Sequence, residues 1–272
     1  MTVSLQVAIL KAAIEKYSSD IDVVVHTRID STNSWCLQQI KKDKKLPFVC
    51  FAEEQTQGRG RRGKDWLMPA NSNIAMSIAW PFMLSHQQLQ LLPLSIALAI
   101  AETLECFSVE HVQIKWPNDV YVKDKKIAGI LIETQSVVRS SVEKNIAVVI
   151  GIGLNYDISA LNEKTAQVLL ATDICSEVKS SAAKLERLAV ATSLLQNAIV
   201  ACQNYRQSVK RNLEKFRTKY DYCHQKNIEI VLDDKITLSG LAQGVNDNAE
   251  LLVLIDGEQQ IFNSAEISVK VN

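Results

Sequence analysis

The chain has no net charge: 30 lysines and arginines are balanced by 30 aspartates and glutamates over 272 residues. A neutral protein has no global attraction for nucleic acid or anionic membrane, so any anion site must come from a local cluster. Paired cysteine patterns are also missing. Cys36, Cys50, Cys106, Cys175, Cys202 and Cys223 form no C-x-x-C motif, and the neighbours Cys223 and His224 lack the second pair that a zinc site needs. Such usage fits free thiols in a reducing compartment. A secretory leader is not evident, because Lys11, Glu15 and Lys16 interrupt the apolar residues and no small-residue cleavage site follows. The most apolar stretch, Leu89 to Leu104, is broken by Gln90, Pro93, Ser95 and Glu102, which reads as too short and too interrupted to span a bilayer. Repeats and low-complexity segments are absent. The expectation is a cytoplasmic protein without membrane or specific DNA partners.

What remains is ordinary globular composition, and the length allows a large domain with a small satellite. Residues 4–17 show apolar spacing of a helix, and Asp22–Ile29 and Pro47–Ala52 read as strands. Ile74–Trp80 reads as a strand and Gln87–Cys106 as a buried helix with Pro93 in its first turns. Val112–Trp116, Val120–Val122 and Ile127–Glu133 read as strands, the last two joined by a hairpin turn at Lys123–Lys126. Ile146–Ile152 is a continuous apolar run, hence a central strand. Ser181–Cys202 is helical, with a more polar helix continuing toward Tyr222. Beyond Gln225 the pattern changes to short β runs, Ile228–Leu232, Ile236–Ala242, Leu251–Ile255 and Ile267–Val271, split by Asp and Asn turns. An α/β core over residues 1–224 and a small β-barrel or sandwich over 225–272 are therefore expected.

Five segments carry chemistry. Gly58-Arg59-Gly60-Arg61-Arg62-Gly63 combines backbone freedom with forked permanent cations suited to carboxylate or phosphate oxygens, and such a loop can order over an anion. Arginine–glycine segments also bind RNA, so the loop alone is unspecific. In Lys115-Trp116-Pro117-Asn118-Asp119 the lysine can meet a phosphate, the tryptophan a ring, and the aspartate a ribose or a magnesium-bound water; a capped proline turn explains the turn but not the lysine and tryptophan. Lys126, in Lys126-Ile127-Ala128-Gly129-Ile130-Leu131-Ile132-Glu133, can point into a cleft from a hairpin end, or simply face solvent. Gly151-Ile152-Gly153-Leu154-Asn155 ends a buried strand without the third glycine of a dinucleotide loop. Asp30-Ser31-Thr32-Asn33-Ser34 can cap a helix, bond a polar ligand head, or both.

In this order, Ser31-Thr32-Asn33, Glu54-Gln55, GRGRRG, KWPND, K-x-AGIL-x-E and GIGLN, the sequence resembles the biotin–protein ligases from about Asp30 to the C-terminus. The resemblance implies an α+β fold, a mixed sheet with helices like that of class II aminoacyl-tRNA synthetases, followed by an SH3-like β-barrel. It implies an AMP-forming ligase that converts biotin and Mg²⁺-ATP to biotinyl-5′-AMP and passes the acyl group to a lysine of the biotin carboxyl carrier protein of acetyl-CoA carboxylase or a related carboxylase. Ser31, Thr32, Asn33, Gln55, Arg59, Gly60, Arg61 and Lys126 would bind biotin, with Lys126, Arg59 and Arg61 closest to the chemistry. Arg61, Arg62, Trp66, Lys115, Asn118 and Asn155 would face the nucleotide, and Asp119 would hold the metal through water. Only about 29 residues precede the first motif, fewer than a DNA-binding domain needs, so the ligase-only type is expected; an exposed sheet edge could support a homodimer. Two departures fall in the last segment: Asn248-Ala249 stands where Asp or Gln followed by Gly is common, and Ala265 stands where glycine usually precedes Glu266-Ile267. The alternatives are a lipoate or octanoate ligase of the same superfamily, a non-catalytic biotin-binding regulator, and an RNA-binding protein.

Overall fold

The strands form because β-branched and aromatic runs can be covered on both faces. Phe48 and Cys50 pack with Cys36 and Ile40 on one side, while Val49 and Phe51 join the main core on the other. The computed structural model describes residues 4–17, 19–138, 144–161, 165, 170–178, 186–232, 236–263 and 267–271. Within them, β1 (Asp22–His26), β2 (Phe48–Ala52), β3 (Asn73–Phe82), β4 (Val112–Lys115), β5 (Asp119–Val122), β6 (Lys125–Val138) and β7 (Lys144–Asn155) make a seven-stranded sheet in the order β1-β2-β3-β7-β6-β5-β4. β1 and β2 are parallel, and α2 (Thr32–Lys41) supplies the crossover that a parallel pair requires. The remaining pairs are antiparallel.

Among the described residues, helix α2 covers one face, against β2, β3 and β7. The other face carries α1 (Val7–Ile14), α3 (Leu92–Cys106), the short α4 (Ile174–Glu177), α5 (Arg187–Gln203) and α6 (Tyr205–Lys215), with α3 packed on α5, α6 and β4 to β6. The helix expected over Gln87–Cys106 divides into a 3₁₀ turn, Gln87–Leu89, and α3, with Pro93 in the first turn of α3 where its missing N–H costs nothing. By length and composition that 20-residue stretch could cross a membrane, but 72% of its most apolar window is buried inside the protein. The helix expected from Ser181 is seen from Arg187; residues 181–185 lie outside the described residues.

A second, antiparallel sheet runs β11-β10-β9-β8-β12, from β8 (Asn227–Leu232), β9 (Ile236–Val245), β10 (Leu251–Ile255), β11 (Glu258–Phe262) and β12 (Ile267–Val271). β11 was not expected: its Glu258-Gln259-Gln260-Ile261 residues are exposed and only Phe262 is buried, so no alternation marks it. Ala249 adopts φ +60, a conformation that suits glycine better, and its carbonyl accepts a 2.8 Å bond from Trp116 Nε1. That bond ties the second sheet to the end of β4. Ala265 lies outside the described residues.

Candidate functional site

Two adjoining cavities open beside the ends of β6 and β7. The inner one is lined by Ser31, Thr32, Asn33, Gln55 and Arg59, and the outer by Arg62, Lys115 and Asn155; Gly60, Arg61, Trp66, Asn118, Asp119 and Lys126 border both. All the site residues expected from the sequence thus face one continuous cleft. The outer cavity, about 420 Å³, also meets Ile267, Val269 and Lys270 of the second sheet, which belong to none of the five segments singled out above.

The end of the inner cavity away from the cations is built from neutral groups. Ser31 caps α2 by accepting from Ser34 N, as serine does before a helix. Thr32 and Asn33, both buried, begin that helix. Gln55 Oε1 accepts from Thr32 N at 2.8 Å and lies 3.1 Å from Thr32 Oγ1. Ser77, fully buried on β3, contacts Thr32 Oγ1 at 2.7 Å and Asn33 Oδ1 at 2.6 Å. Asn33 Nδ2 donates to Glu133 Oε2 at 2.8 Å and to the Leu131 carbonyl at 3.2 Å. The amide lies flat on Gly151, where a Cβ would come within 2.3 Å of Asn33 Oδ1. Ser77 and Glu133 were missed as site residues, although a lone serine in the apolar run IAMSIAW was a signal.

Lys126 reaches the cleft through a backbone irregularity. In the β5–β6 ladder Val120 pairs with Ala128 but Tyr121 pairs with Lys126, leaving Ile127 as an extra residue. Such a bulge resets the alternation of side chains. Ile127 enters the core while Lys126 shares the cleft face with Gly129. The turn residues Lys123 (φ +47) and Asp124 (φ +64) are both left-handed, the geometry of a tight two-residue hairpin. Lys126 Nζ forms a 2.7 Å ion pair with Asp119.

The arginine loop has more anchors than its composition suggests. Its chain folds back on itself, with Gly60 N bonding Lys64 O and Trp66 N bonding Gly58 O. Arg59 pairs with Glu133 at 2.9 Å, Arg61 Nη1 donates to Asn118 Oδ1 at 3.1 Å, and Arg62 Nη1 donates to the Val231 carbonyl of β8 at 3.3 Å. Asn118 is itself fixed by donating to Ile130 O at 2.8 Å. Burial draws the guanidinium of Arg61 below its ordinary pKa, opposed by Asp119 and reinforced by Arg62. Burial does the same to Lys115, which Cys223 and Asp119 oppose. Crowded, partly desolvated cations of this kind are stabilised by an anion placed among them. Asn155 is farther from the loop and donates to Thr172 O at 2.9 Å.

The Trp66 indole lies on a glycine floor. Gly129 and Gly153 face each other across β6 and β7, and a Cβ on Gly153 would fall 2.5 Å from the Trp66 ring. The indole nitrogen is buried without a hydrogen-bond partner, and Lys126 Nζ sits 5.4 Å from the ring centre. With the indole there the inner cavity is about 60 Å³, well below the roughly 300–1,000 Å³ usual for a small-molecule site.

Residues 25–155, which include every expected site residue, match the biotin/lipoate A/B protein ligase family. Those residues carry that family's domain. Among similar proteins, the bifunctional ligase/repressor BirA of Escherichia coli is 29% identical over 91% of this chain and 74% of its own. A biotin–[acetyl-CoA-carboxylase] ligase of Paracoccus denitrificans is 38% identical over 47% of this chain and 52% of its own. The fold is that of the Aquifex aeolicus biotin protein ligase solved with biotin and ATP, with a TM-score of 0.72 at 23% identity, covering 92% of this chain and 99% of the other. The match spans the segments that carry the hydrogen-bonding pocket, Lys126 and the arginine loop.

Proposed function

We propose that this chain is a biotin–protein ligase that joins biotin to ATP as biotinyl-5′-AMP and transfers the acyl group to a carrier lysine. One observation carries the reading: a row of neutral hydrogen-bonding groups, Ser31, Thr32, Asn33 and Gln55, shares a cavity with Lys126 and Arg61, beyond which lies a larger cationic cavity. The neutral pocket suits the ureido head of biotin, and the cationic one suits a triphosphate.

The first step forms a bond between a biotin carboxylate oxygen and the α-phosphorus of ATP and breaks the bond to pyrophosphate. Both partners are anions, so the main barrier is their mutual repulsion. Lys126, held by Asp119, and Arg61, held by Asn118, stand at the junction of the cavities, where they can neutralise both reactants. Fixed cations in a partly desolvated cleft lower such a barrier without reorganising, and a lid over the anhydride limits hydrolysis. In the second step the carrier's lysine amine attacks the acyl carbon, AMP leaves, and the amine loses a proton. Magnesium arrives as part of the Mg²⁺-ATP substrate, and Asp119 is the junction carboxylate that would meet one of its waters. The carrier is the biotin carboxyl carrier protein of a carboxylase such as acetyl-CoA carboxylase. Residues 1–224 form the catalytic domain in this reading, and 225–272 an SH3-like domain whose β12 closes the nucleotide side.

Incubation with ATP, Mg²⁺ and either biotin or lipoate tests the reading. Biotinyl-AMP is expected, with pyrophosphate release dependent on biotin. Lipoyl-AMP alone would move the chain to the lipoate branch of its family, and no acyl-AMP from either would remove the catalytic reading.

A further inference from the structure

Glu133 belongs to a motif, but nothing in the reaction just described requires it. Its carboxylate is about one-quarter exposed and joins two parts of the site. Oε2 takes a 2.8 Å bond from Asn33 Nδ2 and a 2.9 Å bond from Arg59 Nη2, and Oε1 takes a 3.2 Å bond from the same arginine nitrogen. We infer that Glu133 is a specificity-determining positioning residue, which fixes the donor–acceptor polarity of the inner pocket and so selects a ligand head that presents N–H groups. The inference rests on the biotin ligase reading of this site.

The argument follows the protons. A carboxylate can only accept, so Asn33 must turn its NH₂ group toward Glu133, where the Leu131 carbonyl at 3.2 Å also accepts. Asn33 Oδ1 then faces Ser77 and can only accept, which commits the one Ser77 hydroxyl proton to the 2.6 Å contact. The one Thr32 hydroxyl proton has two contacts to choose between, Ser77 Oγ at 2.7 Å and Gln55 Oε1 at 3.1 Å; with the Ser77 proton committed to Asn33, it goes to the shorter one. Gln55 Oε1 remains with the Thr32 backbone N–H at 2.8 Å. Every proton in this chain runs inward toward Glu133. Thr32 is left presenting lone pairs to the cavity, and Gln55 presents its NH₂ group, whose contact is only a 3.8 Å approach to Met68 Sδ. An acceptor beside a donor complements a cyclic urea, which has N–H and C=O groups side by side. Were Asn33 reversed, Ser77 would accept, Thr32 would donate outward, and the pocket would favour a head that only accepts.

Glu133→Gln removes the charge and adds a donor, so both orientations of Asn33 become available with little change in shape. The experiment measures biotin-dependent ATP–pyrophosphate exchange by wild type, E133Q and S77A. S77A breaks the chain one link further on without touching Arg59. The expected result is a rise of about tenfold or more in KM for biotin in both variants, with kcat at saturating biotin, KM for ATP and the melting temperature little changed. The preference for biotin over an analogue methylated at one ureido nitrogen should fall in parallel. An unchanged biotin KM in E133Q with an active wild type would overturn this inference alone. So would an effect confined to E133Q and absent from S77A, since Glu133 would then act through Arg59. A wild type that makes no biotinyl-AMP would instead overturn the reading of the site, and this inference with it.

Discussion

The two cavities solve opposite recognition problems with opposite materials. The inner one uses Thr32, Asn33, Gln55 and Ser77, neutral groups set on a helix start, a strand and a strand end, each satisfied by its neighbours. The outer one uses Arg61, Arg62 and Lys115, long cations on a loop and a strand end, of which Arg61 and Lys115 are partly desolvated. Buried neutral hydrogen bonds discriminate because an unpaired partner is costly, whereas charges attract many anions with little discrimination. Selectivity should therefore reside in the inner cavity, and charge neutralisation and retention in the outer.

The largest effect should come from the framework beneath the inner pocket. Glu53, two residues before Gln55, forms a buried ion pair with Arg187, and also accepts from Leu5 N and Ser4 Oγ. Burial works to raise the Glu53 pKa, but the Arg187 and Leu5 hydrogen bonds and the Arg187 charge outweigh it and lower it. Glu53→Gln leaves a buried guanidinium uncompensated, for an expected loss of about 3–5 kcal/mol, seen as a clear fall in melting temperature. The same pair makes stability pH-dependent. A depressed carboxylate contributes fully above its unfolded pKa of 4.5 and loses that contribution as pH falls toward its folded value. A wild-type melting profile that stays flat from about pH 5 down to about pH 3 would argue against the pair as an anchor.

Next in size is Lys126→Ala. It should cut biotinyl-AMP formation by roughly 10²–10³-fold, the range for removing one electrostatic stabiliser, with near-normal melting. Pyrophosphate release close to wild type would sink the junction role. Arg61→Gly should be smaller and different in kind: one charge-assisted contact is worth about 1.5–3 kcal/mol, so escape of the adenylate could rise roughly tenfold or more. Incubation with ATP, biotin and serum albumin, followed by streptavidin blotting, reads the escape. Equal albumin labelling by variant and wild type, with carrier biotinylation still detectable, would show that the outer cavity does not retain the intermediate.

The smallest effect concerns Trp66, the wall between the cavities. A ligand lying on Gly129 and Gly153 must move the indole, so biotin should change tryptophan emission, and Trp66→Phe should abolish most of that change. Biotin affinity should shift by less than about fivefold, near 1 kcal/mol. No emission change in wild type would mean that the ring stays on its floor and biotin binds elsewhere.

Much of this was legible because the chemistry is concentrated in short segments. The helix cap at Ser31, the Asp124 hairpin and the apolar run of β7 follow from local preferences that tertiary packing had no reason to override. The exposed β11 and the split before α3 were not legible, since a polar edge strand carries no burial pattern and a 3₁₀ turn differs from a helix by one hydrogen-bond register.

The sequence by itself determined the family's ordered motifs, the sign and density of charge in the loop, and the change from mixed to all-β patterning near residue 225. Tertiary structure decided which side chains meet. Glu133 reaches Asn33 across 100 positions of chain, and Ser77 reaches it across 44. Lys126 faces the cleft only because Ile127 is the extra residue of a bulge, and Trp66 rests on glycines 63 and 87 residues downstream of it. Periodicity records which face of an element is buried, but the register between distant strands is set by packing and ladder geometry, and a shift of one residue there would turn the lysine away from the cleft.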